Sequence, residues 1–544
     1  MPKFILLDHS LRDTGGHHFP YAASVLQAAE AAGFSPALAT HRDFAAVADV
    51  AAFPSHWPRH ALFPAVSYSV HTLDTQSTAG HAGGLLASGL RPLQALWHRL
   101  ARQRHVRQFA EACAELFHRL PLAAGDIVFL PTVSELDLRG LSAFLRATPL
   151  PAVRWHAMMH FGIHRDRDWR EHGDARAMEA MRASLRAALQ GWVGQQLRLW
   201  CTTEPLAEQY QALDVADFAV LPYPVHPFFS QQRQWRPQPR PARISCLGHA
   251  RREKNRTGLT TVLQQLWSDA FAPGRAQLVV QNARVALRGA LQARAQQLSR
   301  TRPVDPGAVP LDCSAGKLEE LQYAQLVCGS DIGLLLYDAS RYHDRVSGVL
   351  LEMQVAAVPV VVPARCWLSE QIAAVNQAWL QQCAETLRAE GRLRPLPPAG
   401  EAELPLPEGC TGLMLSLELP AGATAAAVEL IEQDAASLAT APPPLWLEAA
   451  RGQRQCRRLV AIAPGCRGVT LRTPAPLRAD AVIGALPPQG AVGLAIDHAA
   501  VAAEALRDIL DHIEHYKAHS ALHAVGRASE CSAARIVERL LERA

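Results

Sequence analysis

Short apolar runs alternate with amphipathic segments along much of the chain. Phe4–Leu7, Ser35–Ala39, Asp126–Leu130, Ala152–Met159, Leu197–Cys201 and Ala219–Leu221 read as strands. The nearly continuous apolar ones suit strands of a parallel sheet covered on both faces. Tyr21, Val25, Leu26 and Ala29 recur at helical spacing, and Leu136–Leu145 opens another helix. The rhythm resumes with Ile244–Leu247, Leu278–Val280, the helix Leu318–Val327, Ile332–Leu336, the helix Val349–Ala357 and Val358–Val362. Strands alternating with helices predict α/β domains with parallel sheets.

Two stretches break the rhythm. Residues 391–490 fill with Pro and Gly, and Leu413–Leu419, Leu445–Glu448, Leu459–Ile462 and Val469–Leu471 read there as strands between turns. This predicts a small antiparallel, sandwich-like β module. The α/β pattern returns at Val492-Gly493-Leu494, followed by Val501, Leu506, Ile509, Leu510, Ile513 and Tyr516 at helical spacing, so the module is an insertion. The expected domains are 1–230, then 243–376 with 491–544, and the inserted 391–490. The Pro-, Arg- and Gln-rich Gln231–Ala242 serves as linker between the first two. The second exception is a basic helix with Leu93, Leu96, Trp97 and Leu100 on one stripe and Arg91, Arg99, Arg102, Arg104 and Arg107 around it. Such a helix either packs on a core with a solvated Arg face or lies on an anionic membrane.

Composition narrows the class. At 544 residues, 49% hydrophobic and 19% charged, the chain has ample core material for about three domains. A formal charge of +4 gives no argument for nucleic acid as a partner. Eleven cysteines without close pairs point to neither a disulfide framework nor a zinc site, and suit a reducing cytosol. The apolar run near the start ends at Asp8, too short for a signal peptide, and no run approaches the roughly 20 residues of a membrane span. A cytoplasmic protein is expected, with peripheral membrane contact through 91–107 as the one alternative.

Candidate chemistry lies where strands give way to helices, the usual ligand position in open α/β sheets. In the first half these places hold Gly15, Gly16 and His17, then Glu135, His156 and His160. His156 and His160 are four apart, but Ala157 stands where a helical His-Glu metal motif needs Glu, so no metal is expected. In the second half, Gly248-His-Ala-Arg251-Arg-Glu-Lys254 offers cations after a strand. Arg345-Val-Ser347-Gly348 opens a helix whose free N–H groups and positive dipole end attract phosphate. Glu352, one turn further, would repel a phosphate but suits sugar hydroxyls.

Asp344, seven intervening residues, then Glu352 resembles the C-terminal-domain signature of retaining GT-B glycosyltransferases of family four. The Pro359–Val362 strand, the Gly248–Lys254 loop, the Gly15-Gly16 pair and the closing segment from Val492 are similar to that family's other landmarks, in the same order. Two departures stand out: Asp344 where the family usually has Glu, and Arg345 at a position often occupied by Gly. The resemblance implies two Rossmann-like domains facing a cleft. Arg251 and Lys254, with the N–H groups of Ser347, Gly348 and Val349, would hold the diphosphate of a UDP- or GDP-linked donor. Glu352 would bind its ribose, and Asp344 and His160 its sugar. Gly15, Gly16, His17, Glu135 and His156 would line the acceptor side. It further implies metal-independent transfer with retention to a glycan or lipid-linked acceptor, with no cofactor beyond the donor. The alternatives are a non-catalytic nucleotide-sugar or carbohydrate binder and a nucleotide-sugar epimerase of the same fold.

Overall fold

The computed structural model describes residues 1–14, 18–47, 53–66, 91–164, 169–192, 194–231, 241–248, 254, 258–313, 318–433 and 443–542. Gly15, Gly16, His17, Arg251 and most of the expected linker lie outside the described residues. The chain divides into two compact units, one formed mainly by Met1–His226 and the other mainly by Pro227–Ala528.

The first unit holds a seven-stranded sheet of β1 (Lys3–Asp8), β2 (Ser35–His41), β3 (Arg59–Phe63), β4 (Ile127–Val133), β5 (Arg154–Met159), β6 (Gln196–Cys201) and β7 (Phe218–Val220). Every pairing is parallel, in the order β3-β2-β1-β4-β5-β6-β7. The apolar strands sit centrally: Phe4, Ile5, Leu6 and Leu7 of β1 and Ile127–Leu130 of β4 are wholly buried. The order reverses between β1 and β4, which opens a crevice beyond their C-terminal ends.

The last helix, Ala533–Leu541, belongs to this unit, although 491–544 was expected to stay with the second domain. Its Ile536, Val537 and Leu540 are buried, and the helix packs on His18–Ala31. Burying each such side chain contributes about 1.5–3 kcal/mol. The surface Arg535–Glu538 pair on the same helix adds at most about 1 kcal/mol. Apolar burial therefore decides where this helix docks, and helical spacing alone does not name the partner.

The second unit contains β8 (Ala242–Cys246), β9 (Ala276–Val280), β10 (Leu311–Asp312), β11 (Ile332–Leu334) and β12 (Val360–Pro363). They form a parallel sheet in the order β10-β9-β8-β11-β12, extended beyond β12 by a strand from near the end of the chain. Between β12 and that last strand come the helix Trp367–Ala389 and then the inserted module. The module comprises β13 (Leu393–Pro395), β14 (Ala399–Pro405), β15 (Cys410–Glu418), β16 (Ala425–Gln433), β17 (Leu445–Glu448), β18 (Gln455–Ala461) and β19 (Gly468–Ile483). β20 (Gly493–Ile496) then completes the parallel sheet against β12. The expected α/β class with an all-β insertion in the C-terminal half is thus what the chain forms.

All module pairings are antiparallel, and the 16-residue β19 organises them. Its first part pairs with β14 and β16, its last part with β15 and β13. Pro474 and Pro476, which lack N–H donors, lie between the two parts. Leu404, Leu415, Val428, Leu447, Leu471 and Ala479, drawn from both parts, share one apolar core. One long strand thus ties the module's strands into a single sheet that shares this core. The helix Trp367–Ala389 contacts β12 and β20 as well as β13 and β18.

Candidate functional site

In the second unit the strand order reverses between β8 and β11, and the expected phosphate loop and Glu352 lie just beyond them. Ser347 caps the helix Gly348–Val355, its hydroxyl accepting from the Leu350 N–H at 3.3 Å. Leu351 N–H is used by the Ser347 carbonyl. That leaves Gly348 and Val349 N–H without a partner among the described residues, at the positive end of the helix. The cap explains why a serine stands here: its side chain satisfies one open donor and leaves the two before it for a ligand.

Glu352 sits one turn into that helix, and its Oε2 accepts from the Tyr323 hydroxyl at 2.6 Å. Burial raises the Glu352 pKa, against the opposing pull of Tyr323 and Lys254. Lys254 is buried, and its ammonium stands 4.9 Å from the Tyr337 ring centroid. Gly248 makes room for it. Its φ is +90°, and a Cβ there would lie 2.5 Å from Lys254 Nζ. The Gly248 N–H is held by Gln281 Oε1 at 2.7 Å. Lys254, Gly248, Val349 and Glu352 are thereby brought together beyond β8 and β11. Tyr323, Tyr337 and Gln281, which complete the group, carry no local sequence signal because each lies on a separate element.

Asp344 belongs to the first unit, not to the second with Glu352. It is buried, and its carbonyl accepts from Thr203 Oγ1 at 2.6 Å. Its carboxylate lies over Gly162: a Cβ on that glycine would stand 2.1 Å from Asp344 Oδ2. Gly162 follows directly on His160-Phe161 after β5, so the structure brings Asp344 to the loop that carries His160. Only a residue without a side chain at 162 allows this approach.

His160 is oriented by the backbone, its Nε2–H donating to the Pro131 carbonyl at 2.6 Å. Burial first, and then the neighbouring His18 charge, push its pKa down to about 4, so the ring is neutral at pH 7. His18 pairs with Asp8 at the end of β1, Nδ1 to Oδ2 at 2.9 Å. Burial opposes charging of both, yet their mutual attraction wins: the Asp8 pKa is lowered and the His18 pKa raised. A neutral imidazole therefore stands beside an ion pair near the β1–β4 reversal. His18 stands beside the Gly15-Gly16 pair, where its sequence position already suggests a functional loop, whereas Asp8 looks in the sequence like an ordinary strand end.

Glu135 is the first residue of the helix Glu135–Ala147 and is half-buried. Two residues on, Asp137 is fully buried, accepts from His105 Nε2 at 2.6 Å and from the Ser134 N–H at 2.7 Å, and faces His9. His156 lies within β5, only 4% exposed, and its Nδ1 accepts from Trp200 Nε1 at 3.1 Å. Burial, with Arg154 and Arg198 nearby, lowers its pKa to about 3. The structure thus places His156 in a buried pair with Trp200, apart from the Asp8–His18–His160 group.

The helix Arg91–Arg119 divides along its length. His105, Phe109, Cys113, Leu116 and Phe117 are buried, whereas Leu96, Trp97 and Leu100 are 52%, 54% and 54% exposed. The side chain of Leu93 lies outside the described residues. Among the described residues no helix is long and apolar enough to cross a membrane, and no group of three or more His, Cys, Asp or Glu is placed to hold a metal.

No protein-family model and no curated protein matches the sequence. Among solved structures, the chain is similar to a sucrose-phosphate synthase from Thermosynechococcus elongatus at 15% identity and a TM-score of 0.40, over 71% of this chain and 90% of that one. A trehalose-6-phosphate synthase aligns at 12% identity and a TM-score of 0.44, over 68% and 86%. A UDP-forming trehalose-phosphate synthase from Burkholderia xenovorans aligns at 12% and 0.42, also over 68% and 86%. Likeness this loose assigns neither donor nor acceptor to the chain.

Proposed function

We propose that the chain is a glycosyltransferase that takes a sugar from a UDP- or GDP-linked donor. One observation carries this reading: a buried cation, two open helix N–H groups and a tyrosine-held carboxylate converge beyond β8 and β11. Lys254 and the Gly348 and Val349 N–H groups suit a diphosphate; Glu352, acting as acceptor, suits a ribose diol. Arg251 is assigned to the same diphosphate by resemblance. As the sugar–phosphate bond breaks, negative charge grows on the leaving diphosphate. Donors already aimed at it stabilise that state without rearrangement.

In the first unit, the neutral His160 and the Asp344 carboxylate over Gly162 are the groups we assign to the sugar. His160 Nε2–H is committed to Pro131, which leaves the Nδ1 lone pair to accept from a hydroxyl. Gly15, Gly16, His17 and Glu135 are assigned to the acceptor, a glycan or a lipid-linked sugar. Transfer with retention and without a metal belongs to the same reading. So does peripheral contact with anionic lipid through Leu96, Trp97 and Leu100, exposed beside Arg99 and Arg104. Flotation with anionic vesicles tests that contact.

The deciding experiment incubates the protein with UDP- and GDP-sugars and a panel of glycans, sugar phosphates and lipid-linked sugars. Wild type should release nucleoside diphosphate and form a glycoside, whereas Lys254→Ala and Glu352→Ala should lose at least about a hundredfold in kcat/KM. Turnover unchanged in both variants sinks the reading. Tight donor binding with no transfer and no hydrolysis favours the non-catalytic alternative. A new free nucleotide sugar formed without acceptor favours epimerisation.

A further inference from the structure

The face of the module that packs under the helix Trp367–Ala389 continues beyond it. Met414, Leu459 and Val482, from β15, β18 and β19, form an apolar cluster with Leu380, Cys383 and Leu387 of the helix. Two residues along β15, on the same face, stands Ser416. Its cross-strand partners are Arg457 on β18 and Arg478 on β19. A small side chain therefore lies between two guanidinium-bearing ones, which leaves a hollow in the sheet face. Arg388, Glu385 and Gln381 from the last turns of the helix line the same cleft, whose volume is about 370 Å³.

Three arginines and three carboxylates line the cleft, but two of the carboxylates are already engaged, Glu418 by Arg454 outside the lining and Asp480 by Arg478, which leaves Arg388 and Arg457 against Glu385 alone. Asp480, 3% exposed, takes both Nε and Nη2 of Arg478 on Oδ1, at 3.2 and 3.1 Å. Arg478 thereby has its own counter-charge. Arg388 and Arg457 form no ion pair among the described residues. Nearby like charges repel, and an anion between them removes that cost while meeting two planar donor forks. The rest of the lining is not that of a bare anion site. Ser416, Gln381, Gln455 and Glu385 offer hydroxyl, amide and carboxylate groups, and Met414, Pro398 and Pro476 offer apolar surface. Flat apolar patches between planar polar groups match a pyranose, whose C–H faces and hydroxyl edges need both.

We propose that this cleft binds an anionic saccharide, one bearing a carboxylate or a phosphate, on the inserted module. It shares no residue with the Lys254–Glu352 group, and the proposal does not depend on the donor reading.

Titration calorimetry on the full chain, with tetragalacturonate, glucose 6-phosphate and neutral maltotetraose, tests it. One equivalent of at least one anionic sugar should bind, more tightly than maltotetraose, and the comparison of the two anions names the group recognised. The Arg388→Ala/Arg457→Ala double variant should weaken binding at least about tenfold, since hydrogen bonds to charged groups are involved. Ser416→Tyr, which fills the hollow and keeps both arginines, should do the same. Because both cleft variants leave the Lys254–Glu352 group and the residues assigned to the acceptor untouched, loss of binding in them separates this site from any sugar phosphate held elsewhere. Binding of neither anion, equal binding of maltotetraose, or full affinity in both cleft variants overturns the proposal. Loss of glycosyl transfer with saccharide binding intact counts against the donor reading alone.

Discussion

The Tyr323 hydroxyl donates to Glu352 Oε2 at 2.6 Å, so one oxygen of the carboxylate is held in place before any ligand arrives. The other oxygen then accepts from a ligand with its orientation already set. Tyr323→Phe should therefore weaken donor binding by about five- to thirtyfold, the range of about one to two kcal/mol for a lost hydrogen bond. Glu352→Ala should cost more. Calorimetry with UDP and GDP checks both, and an unchanged affinity in Tyr323→Phe makes the contact incidental.

Gly248→Ala should be costly twice over. The backbone stands at φ +90°, and the new Cβ would lie 2.5 Å from Lys254 Nζ. Strain of this kind costs about 1–3 kcal/mol, which chemical denaturation measures. Displacing the ammonium should also weaken nucleotide binding, so the variant should lose affinity even at temperatures where it remains folded.

Gly162→Ala tests the placement of Asp344. The added Cβ would meet Asp344 Oδ2 at 2.1 Å, and either the carboxylate or the loop after His160 must move. Turnover should fall at least about tenfold while nucleotide binding, assigned to the other unit, stays near wild type. Asp344→Glu, which restores the longer carboxylate usual in the resembled family, should lower stability, because a buried side chain gains a methylene with no space for it.

Buried histidines make stability pH-dependent in a predictable direction. His160 has a folded pKa of about 4 and His156 of about 3, both below the unfolded value of about 6.5. The unfolded chain binds more protons between those limits. Stability should therefore be full above pH 6.5 and fall as pH drops toward 4. His160→Gln should flatten part of that slope in thermal melts between pH 4.5 and 6.5. An unaltered slope would show the ring to be solvated.

Glu448 behaves in the opposite sense. It accepts from Ser369 Oγ at 3.0 Å and from the Arg365 N–H, joining the module to the start of the helix Trp367–Ala389. Burial raises its pKa to about 7. The folded state holds this proton more tightly than the unfolded one, so its contribution is full below about pH 4.5 and lost as pH rises through 7. Glu448→Gln should remove that loss and gain stability relative to wild type between pH 5 and 8. Melting curves across that range decide it.

Much of the architecture was legible in the chain because apolar periodicity is local. Phe4–Leu7 and Val358–Val362 announce buried parallel strands, Ser347-Gly348 announces a capped helix start, and the change of rhythm after 391 announces an insertion. Glu352 and Lys254 were legible for the same reason, as polar residues at fixed distances from those strands. What the sequence by itself determined is therefore the kind and order of elements and the residue types at their ends.

Only the tertiary structure decided which of those ends meet. Tyr323 comes to Glu352 from another helix, and Asp8 comes to His160 from another strand with His18 from the helix after it, at separations no local pattern encodes. Asp344 was read as the companion of Glu352, yet it packs over Gly162 in the other unit, because burial and one missing side chain govern its place. The final helix likewise follows its apolar face to the first unit. Periodicity names a face to be buried; the shape and chemistry of the surface that buries it arise only when the chain has folded.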